Sequence, residues 1–479
     1  MIVGLTGILK KIFNKDNPAP SATSIADPMV AGYNLNRESS LHHSICMAPS
    51  VNMLFAIDGT VKACCHNHEN SLGRYPDQTI KEIWNSLDTQ HFRQLLAQYK
   101  FLSGCSTCAF DYSSGNFDQM MAQTFDHLPQ RPDYPSMMEF LYSNTCNLEC
   151  VMCTGELSSS IRKNRDKLPP LRSPYDDAFI DQLEEFIPHL SEVRFSGAGE
   201  AFAIDINYPL WEKLITQNPK CIITVQTNGT ILNARVRDFL ERGNFNIGVS
   251  LDSLDKETFE SIRINASYDQ VIKNIEYFAD YSLKRGKHMT ISMCVMRQNW
   301  KELPAFVRFC NRTGALITFH KVWTPLKYAI YNLPAPVLES IYTELSSHTF
   351  PSGSALEIKN KNHYVYFVSV IKKWMEDAQS RSEGVDSMEH LSVEELDQYA
   401  KTRLQKYITG HTMLETDKEE LIRICQQKID DVLGLWNDEA KKRTLLTKLC
   451  LIKESELLPA LKTQTIEKLY EMSVATADT

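Results

Sequence analysis

The chain has 479 residues, of which 43% are hydrophobic and 23% charged, and its formal net charge is −8. These values are ordinary for a soluble globular protein, and the length predicts two or three domains. The negative charge argues against nucleic-acid binding, which needs clustered Lys and Arg. No apolar run is long enough to span a bilayer. Thirteen cysteines in so large a chain favour metal or redox chemistry in a reducing cytoplasm over structural disulfides.

Residues 1–39 are predicted to form a terminal helix and a linker. The apolar stretch Met1–Lys15 has its positive charges after the apolar part, which is unlike a signal peptide. This helix could contact a membrane surface, although a frayed terminal helix is the simpler interpretation. The stretch Asn17–Ala31, which contains several prolines and serines, predicts a linker.

Residues 40–126 form a compact unit with cysteines at the spacing of a metal site. Asp58-Gly59 lies between two β-type runs, Asn52–Ile57 and Thr60–Ala63, and this dipeptide predicts a hairpin. The second strand leads into a pair of cysteines, and a C-x2-C turn follows about forty residues later. Four thiolates of this kind can bind an iron–sulfur cluster or a structural zinc ion. The candidate ligands are Cys46, Cys64, Cys105 and Cys108.

Residues 130–325 alternate β-type runs with amphipathic helices, which predicts parallel strands joined by helical crossovers. Ligands of such folds bind at the carboxyl ends of the strands. The predicted strands are Met137–Tyr142, Glu192–Ser196, Ile222–Thr227, Asn246–Leu251, Thr290–Val295 and Leu316–His320, and the predicted helices are Asp176–Ile187, Tyr208–Gln217, Asn233–Arg242, Tyr268–Arg285 and Trp300–Arg312.

Directly after the first of these strands, Cys146, Cys150 and Cys153 form a C-x3-C-x2-C pattern. Thiolate is the ligand that iron–sulfur clusters take, and a loop this short can wrap three thiolates around one centre. The next cysteine, Cys221, is far along the chain, so the centre would keep one open position, which is typical of a catalytic site. Three cysteines that bind zinc, or that merely pack in a core, are the alternatives.

This cysteine loop resembles that of the radical S-adenosylmethionine (radical SAM) superfamily. The resemblance implies an α/β fold, a partial (β/α)6 barrel, and a 4Fe–4S cluster held by Cys146, Cys150 and Cys153. In that family the open iron binds SAM, and one electron cleaves SAM to methionine and a 5′-deoxyadenosyl radical. The radical then abstracts hydrogen from the substrate.

A second similarity lies after the second strand of the core. Gly197, Gly199 and Glu200 resemble the family's GGEP motif, whose acidic residue holds the amino group of SAM. Ala198 and Ala201 depart from that motif, and the loss of the usual proline weakens the rigidity of the turn.

Further residues resemble the family's SAM contacts at the ends of the later strands. Asn228 follows the third strand. Alternation places Ser250 and Asp252 on one face of the fourth, where they would contact the ribose or the SAM carboxylate. Arg263 matches the arginine that neutralises this carboxylate. Each of these residues, taken singly, can also be an ordinary solvated polar residue.

Residues 40–126 resemble the SPASM or twitch module, which accompanies many radical SAM enzymes and binds an auxiliary 4Fe–4S cluster. The interval from Gly59 to Cys64 and the closing C-x2-C carry the resemblance. Because adjacent residues of a strand point to opposite faces, only one of Cys64 and Cys65 is expected to be a ligand. The glycine interval favours Cys64, which leaves Cys65 as a free thiol or an alternative ligand. Here the module precedes the core, whereas in the family it usually follows.

Residues 326–479 are predicted to be helical, with no recognisable motif and with a polar linker at Ser380–Asp386. The predicted helices are Val337–Ser346, Tyr364–Asp377, Val393–Tyr407, Asp417–Leu435, Asp438–Leu451 and Ser455–Met472.

The resemblance implies a cytoplasmic radical SAM oxidoreductase with two 4Fe–4S clusters and SAM, which modifies a ribosomal peptide or protein. A dehydrogenase or epimerase of sugars or other small molecules and a non-catalytic metal-binding scaffold are the alternatives. The expected partners are SAM, the substrate and a low-potential electron donor of the flavodoxin or ferredoxin type, with no nucleic acid and no membrane span. Cys294, on the fifth strand, is either a hydrogen-atom donor in the cavity or a buried structural thiol.

Overall fold

The computed structural model describes residues 28–451 except 68, 114, 118–119, 323–324, 389, 410–414 and 435–437. The predictions for Met1–Lys15, for Ser455–Met472 and for most of the N-terminal linker lie outside these residues. Among the helices in the described ranges, none is both long enough and apolar enough to cross a bilayer.

The described residues form strands and helices that alternate along much of the chain. The strands are β1 Asn52–Ala56, β2 Thr60–Lys62, β3 Gly73–Arg74, β4 Met137–Leu141, β5 Glu192–Phe195, β6 Ile222–Thr227, β7 Phe245–Ser250, β8 Thr290–Val295 and β9 Leu316–Lys321. The helices are α1 Pro28–Asn34, α2 Ala48–Val51, α3 Ile80–Trp84, α4 Leu87–Ala97, α5 Ser106–Ser113, α6 Ser159–Asn164, α7 Asp177–Leu183, α8 Asn207–Gln217, α9 Ala234–Arg242, α10 Lys256–Ile262, α11 Tyr268–Lys284, α12 Leu303–Thr313, α13 Ala335–Ser346, α14 Ala355–Met388, α15 Val393–Thr409, α16 Glu415–Leu433 and α17 Glu439–Leu451.

These elements belong to two compact units. The first comprises the described residues up to Ser143, with Leu171–Ser196 and Asp205–Ile223. The second comprises Asn144–Pro170, Gly197–Ile204 and the described residues from Thr224 onward.

In the first unit the strand order is β3-β2-β1-β4-β5. The hairpin predicted around Asp58-Gly59 is present, because β1 and β2 are antiparallel. Strand β1 also lies parallel to β4, and β4 lies parallel to β5. Phe55, Phe140 and Phe195 occupy one row across β1, β4 and β5, with ring centroids 5.5 and 5.0 Å apart. The ring of Phe179 on α7 packs against this row, which buries one face of the sheet.

In the second unit β6, β7, β8 and β9 are neighbours in that order. Strand β8 is parallel to both β7 and β9, and Cys294 lies directly opposite His320 in the β8–β9 register. Helices α9, α11 and α12 connect these strands, and their apolar faces are buried. The prediction of an α/β fold with parallel strands and a helical C-terminal region is therefore confirmed.

The predicted helices differ from the structure at several positions. Helices α1, α2, α5, α6 and α10 were not predicted, and α1 begins inside the predicted linker Asn17–Ala31. Helices α6 and α10 each follow a side chain that accepts the N–H three residues on, Ser158 for α6 and Asp255 for α10. The prediction of a polar linker at Ser380–Asp386 was wrong, because α14 runs without interruption from Ala355 to Met388.

Candidate cluster and cofactor site

Cys146, Cys150 and Cys153 lie in an irregular loop that follows β4, and all three thiols are half-buried. We call residues 146–153 the cysteine loop. Helix α6 holds its first residue, because the N–H of Cys146 donates to Ser159 Oγ at 3.1 Å and Ser160 Oγ donates to the Cys146 carbonyl at 2.8 Å. The loop therefore has a defined shape before any ligand binds.

A second contact holds the middle of the loop. The N–H of Glu149 donates to the carbonyl of Ile264 at 3.1 Å, and the N–H of Val151 donates to the carbonyl of Ile262 at 2.9 Å. Cys150 lies between the two residues that donate these hydrogen bonds, and Arg263 lies between the two residues that accept them. Cys150 consequently lies opposite Arg263 in this short ladder.

Burial raises the pKa of all three thiols, that of Cys150 to about 12. Several groups oppose this effect and favour the thiolate. The N–H of Leu148 donates to Cys146 Sγ at 3.5 Å, and Asn228 Nδ2 lies 3.9 Å from the same sulfur. For Cys150 the strongest opposing influence is the charge of Arg263. N–H donors at Cys146 and a positive charge near Cys150 suit a negatively charged sulfur-ligated centre.

The Gly-rich turn after β5 brings Glu200 to the cysteine loop. Gly197 and Gly199 have φ values of 92° and 67°, which are strained for any other residue. The N–H of Glu200 donates to the carbonyl of Thr145 at 2.7 Å, so the turn is bonded to the residue that directly precedes the loop. The Glu200 side chain is buried, being 1% exposed.

Three donors engage the Glu200 carboxylate. Oε1 accepts the hydroxyl of Thr227 at 2.6 Å and the N–H of Phe202 at 3.2 Å, and Oε2 accepts the N–H of Asn228 at 2.6 Å. Burial raises the pKa of Glu200, and these hydrogen bonds oppose the rise. A carboxylate has about four acceptor positions, so one remains on Oε2.

Of the other predicted cofactor contacts, Ser250 is half-buried, whereas Asp252 and Arg263 form a buried ion pair. Ser250 is half-buried and accepts Gln226 Nε2 at 2.8 Å. Asp252 is 0% exposed, its Oδ1 accepts the N–H of Cys294 at 2.7 Å, and its Oδ2 lies 2.7 Å from Arg263 Nε. This last contact is an ion pair without hydrogen-bond alignment. The Asp252 carboxylate is therefore occupied by the protein itself.

Cys294 and Met152 of the cysteine loop each pack against an apolar cluster of Ile262, Met296 and Val322. Cys294 is half-buried, and burial raises its pKa.

In the first unit, Cys46, Cys64, Cys105 and Cys108 line a single cavity, whereas Cys65 does not. Burial raises the pKa of each of these four thiols, and Cys46 interacts electrostatically with the other three.

N–H donors reach this cavity as well. The N–H of Ala48 lies 3.5 Å from Cys46 Sγ, and Asn67 Nδ2 lies 3.4 Å from Cys105 Sγ. Asn67 is 1% exposed and was missed by the sequence analysis, because nothing in the sequence marks a single Asn as a sulfur contact. Among the described residues, no three His, Cys, Asp or Glu side chains are close enough to one point to hold a single ion. The donor set of the cavity is four thiols with N–H support.

A polar group inside the first unit was also missed. Glu139 is 6% exposed, and its Oε1 accepts Asn52 Nδ2 at 2.6 Å. Burial raises the pKa of Glu139, and the charge of Arg194, its partner in the β4–β5 register, opposes the rise. Cys65 interacts electrostatically with both of these residues. In the sequence, the sign of this buried group is that Glu139 is the one acidic residue in the otherwise apolar strand β4.

Comparison with known proteins identifies two domains in the chain. Residues 140–310 match the family model described as "Radical SAM superfamily". This segment of the chain therefore resembles a radical SAM domain. Residues 46–109 match the SPASM model, described as an "Iron-sulfur cluster-binding domain". The SPASM domain therefore precedes the radical SAM domain, and the two domain types indicate a catalytic and an auxiliary 4Fe–4S cluster together with SAM.

The individual relatives of the chain are distant. It is 27% identical over 194 residues to a probable GTP 3′,8-cyclase of Methanocaldococcus jannaschii, covering 40% of this chain and 61% of that protein. It is 26% identical over 155 residues to a GTP 3′,8-cyclase of Clostridium botulinum, covering 32% of this chain and 46% of that protein. The chain thus spans less than two thirds of the length of either relative. The solved structure of Streptococcus suis SuiB bound to S-adenosylmethionine is similar with 14% identity and a TM-score of 0.33, covering 56% of this chain and 61% of that one.

Proposed function

We propose that the protein is an enzyme that reductively cleaves SAM at a cluster held by Cys146, Cys150 and Cys153. The observation that carries this proposal is the hydrogen bond from Glu200 N–H to Thr145, the residue that directly precedes the cysteine loop. It supports a site in which a buried carboxylate lies near the start of a loop with three thiols, as a three-ligand cluster with an amino-acid cofactor requires. When bound, the cluster and SAM supply a primary carbon radical that abstracts hydrogen from a substrate.

The roles of the surrounding residues follow from their contacts. The free acceptor position on Glu200 binds the ammonium group of SAM, and the backbone turn at Gly197 and Gly199 allows its close approach. Arg263 pairs with Asp252 through Nε, and its guanidinium group is proposed to bind the SAM carboxylate as well. Asn228 and Ser250 provide polar contacts at the ends of β6 and β7. Asp252 is predicted to contact the cofactor, and its ion pair with Arg263 supports an action through that arginine.

The four thiols around the cavity of the first unit are proposed to bind the auxiliary cluster. Cys46, Cys64, Cys105 and Cys108 line that cavity together, which supports Cys64 over Cys65 as the ligand. An auxiliary cluster would accept an electron from the substrate, relay electrons or bind the substrate. A structural zinc ion in the same cage is the alternative.

We further propose that the substrate is a ribosomal peptide or protein, in line with the resemblance of the N-terminal unit to SPASM modules. The second candidate is a nucleotide or another small molecule, because two of the relatives are named GTP 3′,8-cyclase. The proposal includes a low-potential electron donor of the flavodoxin or ferredoxin type. It also includes a cytoplasmic location, since all thirteen cysteines lie in described residues and none forms a disulfide.

Anaerobic reconstitution with iron and sulfide, followed by dithionite and SAM, tests the core of the proposal. We expect about eight irons per chain and release of 5′-deoxyadenosine. Replacing the three cysteines of the loop by Ala should remove about half of the iron and abolish this release. Replacing Cys105 and Cys108 should remove the other half and leave slow, uncoupled cleavage. A colourless protein that contains only zinc would refute the proposal.

The substrate class needs a separate experiment. The reconstituted enzyme is incubated with SAM and either GTP or short peptides encoded beside its gene, and mass spectrometry follows each candidate. A loss of mass or a new cross-link in a peptide supports the peptide assignment. Conversion of GTP alone supports the small-molecule alternative.

A further inference from the structure

The segment Ile262–Ile264, which is hydrogen-bonded to the cysteine loop, has the charged residue Arg263 in its middle. Cys150 and Arg263 lie opposite each other, between the two hydrogen bonds that join Glu149 to Ile264 and Val151 to Ile262. The side chain of Arg263 is 7% exposed, so solvent does not screen its guanidinium group. A buried positive charge thus lies beside the central cysteine of the loop.

Asp252 places the opposite charge at the same position. Its carboxylate is 0% exposed and lies 2.7 Å from Arg263 Nε. The two charges have opposite signs and are in direct contact, so they act in opposite directions on a centre bound at Cys150. A buried ion pair of this kind contributes little to stability, since desolvation offsets the attraction, so a role beyond stability is expected for it.

We propose that the Arg263–Asp252 ion pair is a positioning pair that sets the reduction potential of the cluster bound at Cys150. This inference rests on the proposed function of the cysteine loop. Reduction adds one electron to the cluster, and no bond is formed or broken in that step. A nearby positive charge stabilises the more negative reduced state, whereas a nearby negative charge destabilises it. Each charge of the pair therefore offsets the shift in potential that the other would cause alone.

Two single substitutions should therefore shift the potential in opposite directions. Arg263→Gln leaves the Asp252 charge unbalanced and lowers the potential. Asp252→Asn leaves the Arg263 charge unbalanced and raises it. The double variant R263Q/D252N removes both charges and should lie closer to the wild type than either single variant. Arg263→Lys keeps the charge and should shift the potential less than Arg263→Gln.

The experiment is a redox titration of the anaerobically reconstituted full-length protein, with dithionite as reductant, followed by electron paramagnetic resonance in the absence of SAM. The relevant cluster is the one whose spectrum changes when SAM is added to a parallel sample. Arg423→Gln is the control, because Arg423 is an exposed arginine on α16 that pairs with Glu420. Its removal should leave the potential unchanged.

Opposite shifts of the two single variants, with the double variant between them, support the inference. Shifts of the same sign, or potentials equal to the wild type, overturn it, because a residue that acts only by contacting SAM would not change a SAM-free potential. If R263Q fails to retain iron, the direction of the D252N shift decides the question. A wild-type protein without a SAM-responsive cluster would instead refute the proposed function itself.

Discussion

Glu200 Oε2 accepts the backbone N–H of Asn228 at 2.6 Å, and the side chain of Asn228 in turn donates to Asn147 at 2.9 Å and lies 3.9 Å from Cys146 Sγ. One asparagine therefore joins the acid of the Gly-rich turn to the cysteine loop. A substitution at Glu200 should therefore affect the cysteine loop, although the two are about fifty residues apart in the sequence.

We expect Glu200→Gln to weaken SAM binding by roughly 10- to 100-fold, because a charge-assisted hydrogen bond to an ammonium group contributes about 1.5 to 3 kcal/mol. The amide would also turn N–H groups towards the donors on Thr227 and Asn228. Anaerobic equilibrium dialysis of the reconstituted protein measures the affinity. Glu257→Gln is the control, since Glu257 is an exposed acid on α10. An unchanged SAM affinity in Glu200→Gln would show that another residue binds the amino group.

The adjacent cysteines of the first unit should behave differently when each is replaced. Cys64 lines the cavity with three other thiols and Cys65 does not. Cys64→Ala should therefore lose about four of the eight irons, whereas Cys65→Ala should keep them. Iron and sulfide analysis after anaerobic reconstitution distinguishes the two. Equal losses in both variants would mean that the cysteines substitute for each other as ligands.

Much of the fold was predictable because its signals are local. Strands β6 and β8 begin and end at the predicted residues, since each is a short apolar run in which one face is buried. The functional residues of the Gly-rich turn and of the cysteine loop are close together in the sequence, so a short motif identifies each of them. Short helices such as α6 lack an apolar stripe, and only the capping Ser158 signals the helix start.

The contacts between distant segments were not predictable. Arg263 was assigned to the SAM carboxylate from its motif, but its position opposite Cys150 depends on how α10 ends and how the loop folds against it. Likewise, no periodicity reveals that Asp252 is already paired with Arg263. Such information lies in tertiary packing, which a single sequence does not contain.

Glu139 should make the stability of the protein depend on pH. Because burial raises its pKa above the ordinary glutamate value, the folded state retains a proton that the unfolded chain has lost. The folded state thus binds more protons within this window, so stability falls as pH rises from the ordinary pKa towards the raised one and then levels off. Glu139→Gln cannot ionise and should abolish this fall.

Urea unfolding followed by tryptophan fluorescence from roughly pH 5.5 to 8.5 measures this effect under anaerobic conditions. We expect the unfolding midpoint of Glu139→Gln to vary less with pH than that of the wild type. Glu241→Gln, which changes an exposed acid, should keep the wild-type profile. Parallel profiles for all three proteins would show that Glu139 is ionised without penalty in the folded state.

Helices α15, α16 and α17 share an apolar core of their own, which extends from Met388 to Cys450. On α15 the buried residues Leu396, Ala400, Leu404 and Ile408 recur every four positions and form one stripe. Because all buried members of this core come from one continuous segment, we expect it to unfold as a separate cooperative unit. Leu404→Ala should destabilise that unit by about 2 to 5 kcal/mol through the cavity it creates.

Hydrogen exchange with mass spectrometry tests this expectation in the reconstituted protein. Leu404→Ala should speed exchange in α15, α16 and α17, while exchange in β6 and β8 and the iron content remain at wild-type values. Tyr399→Ala is the control on the same helix, because Tyr399 is 44% exposed and its loss creates no internal cavity. If Leu404→Ala also lowered the iron content or the protection of β6, the helical core would be coupled to the cluster-bearing part of the chain, and the separate-unit prediction would be wrong.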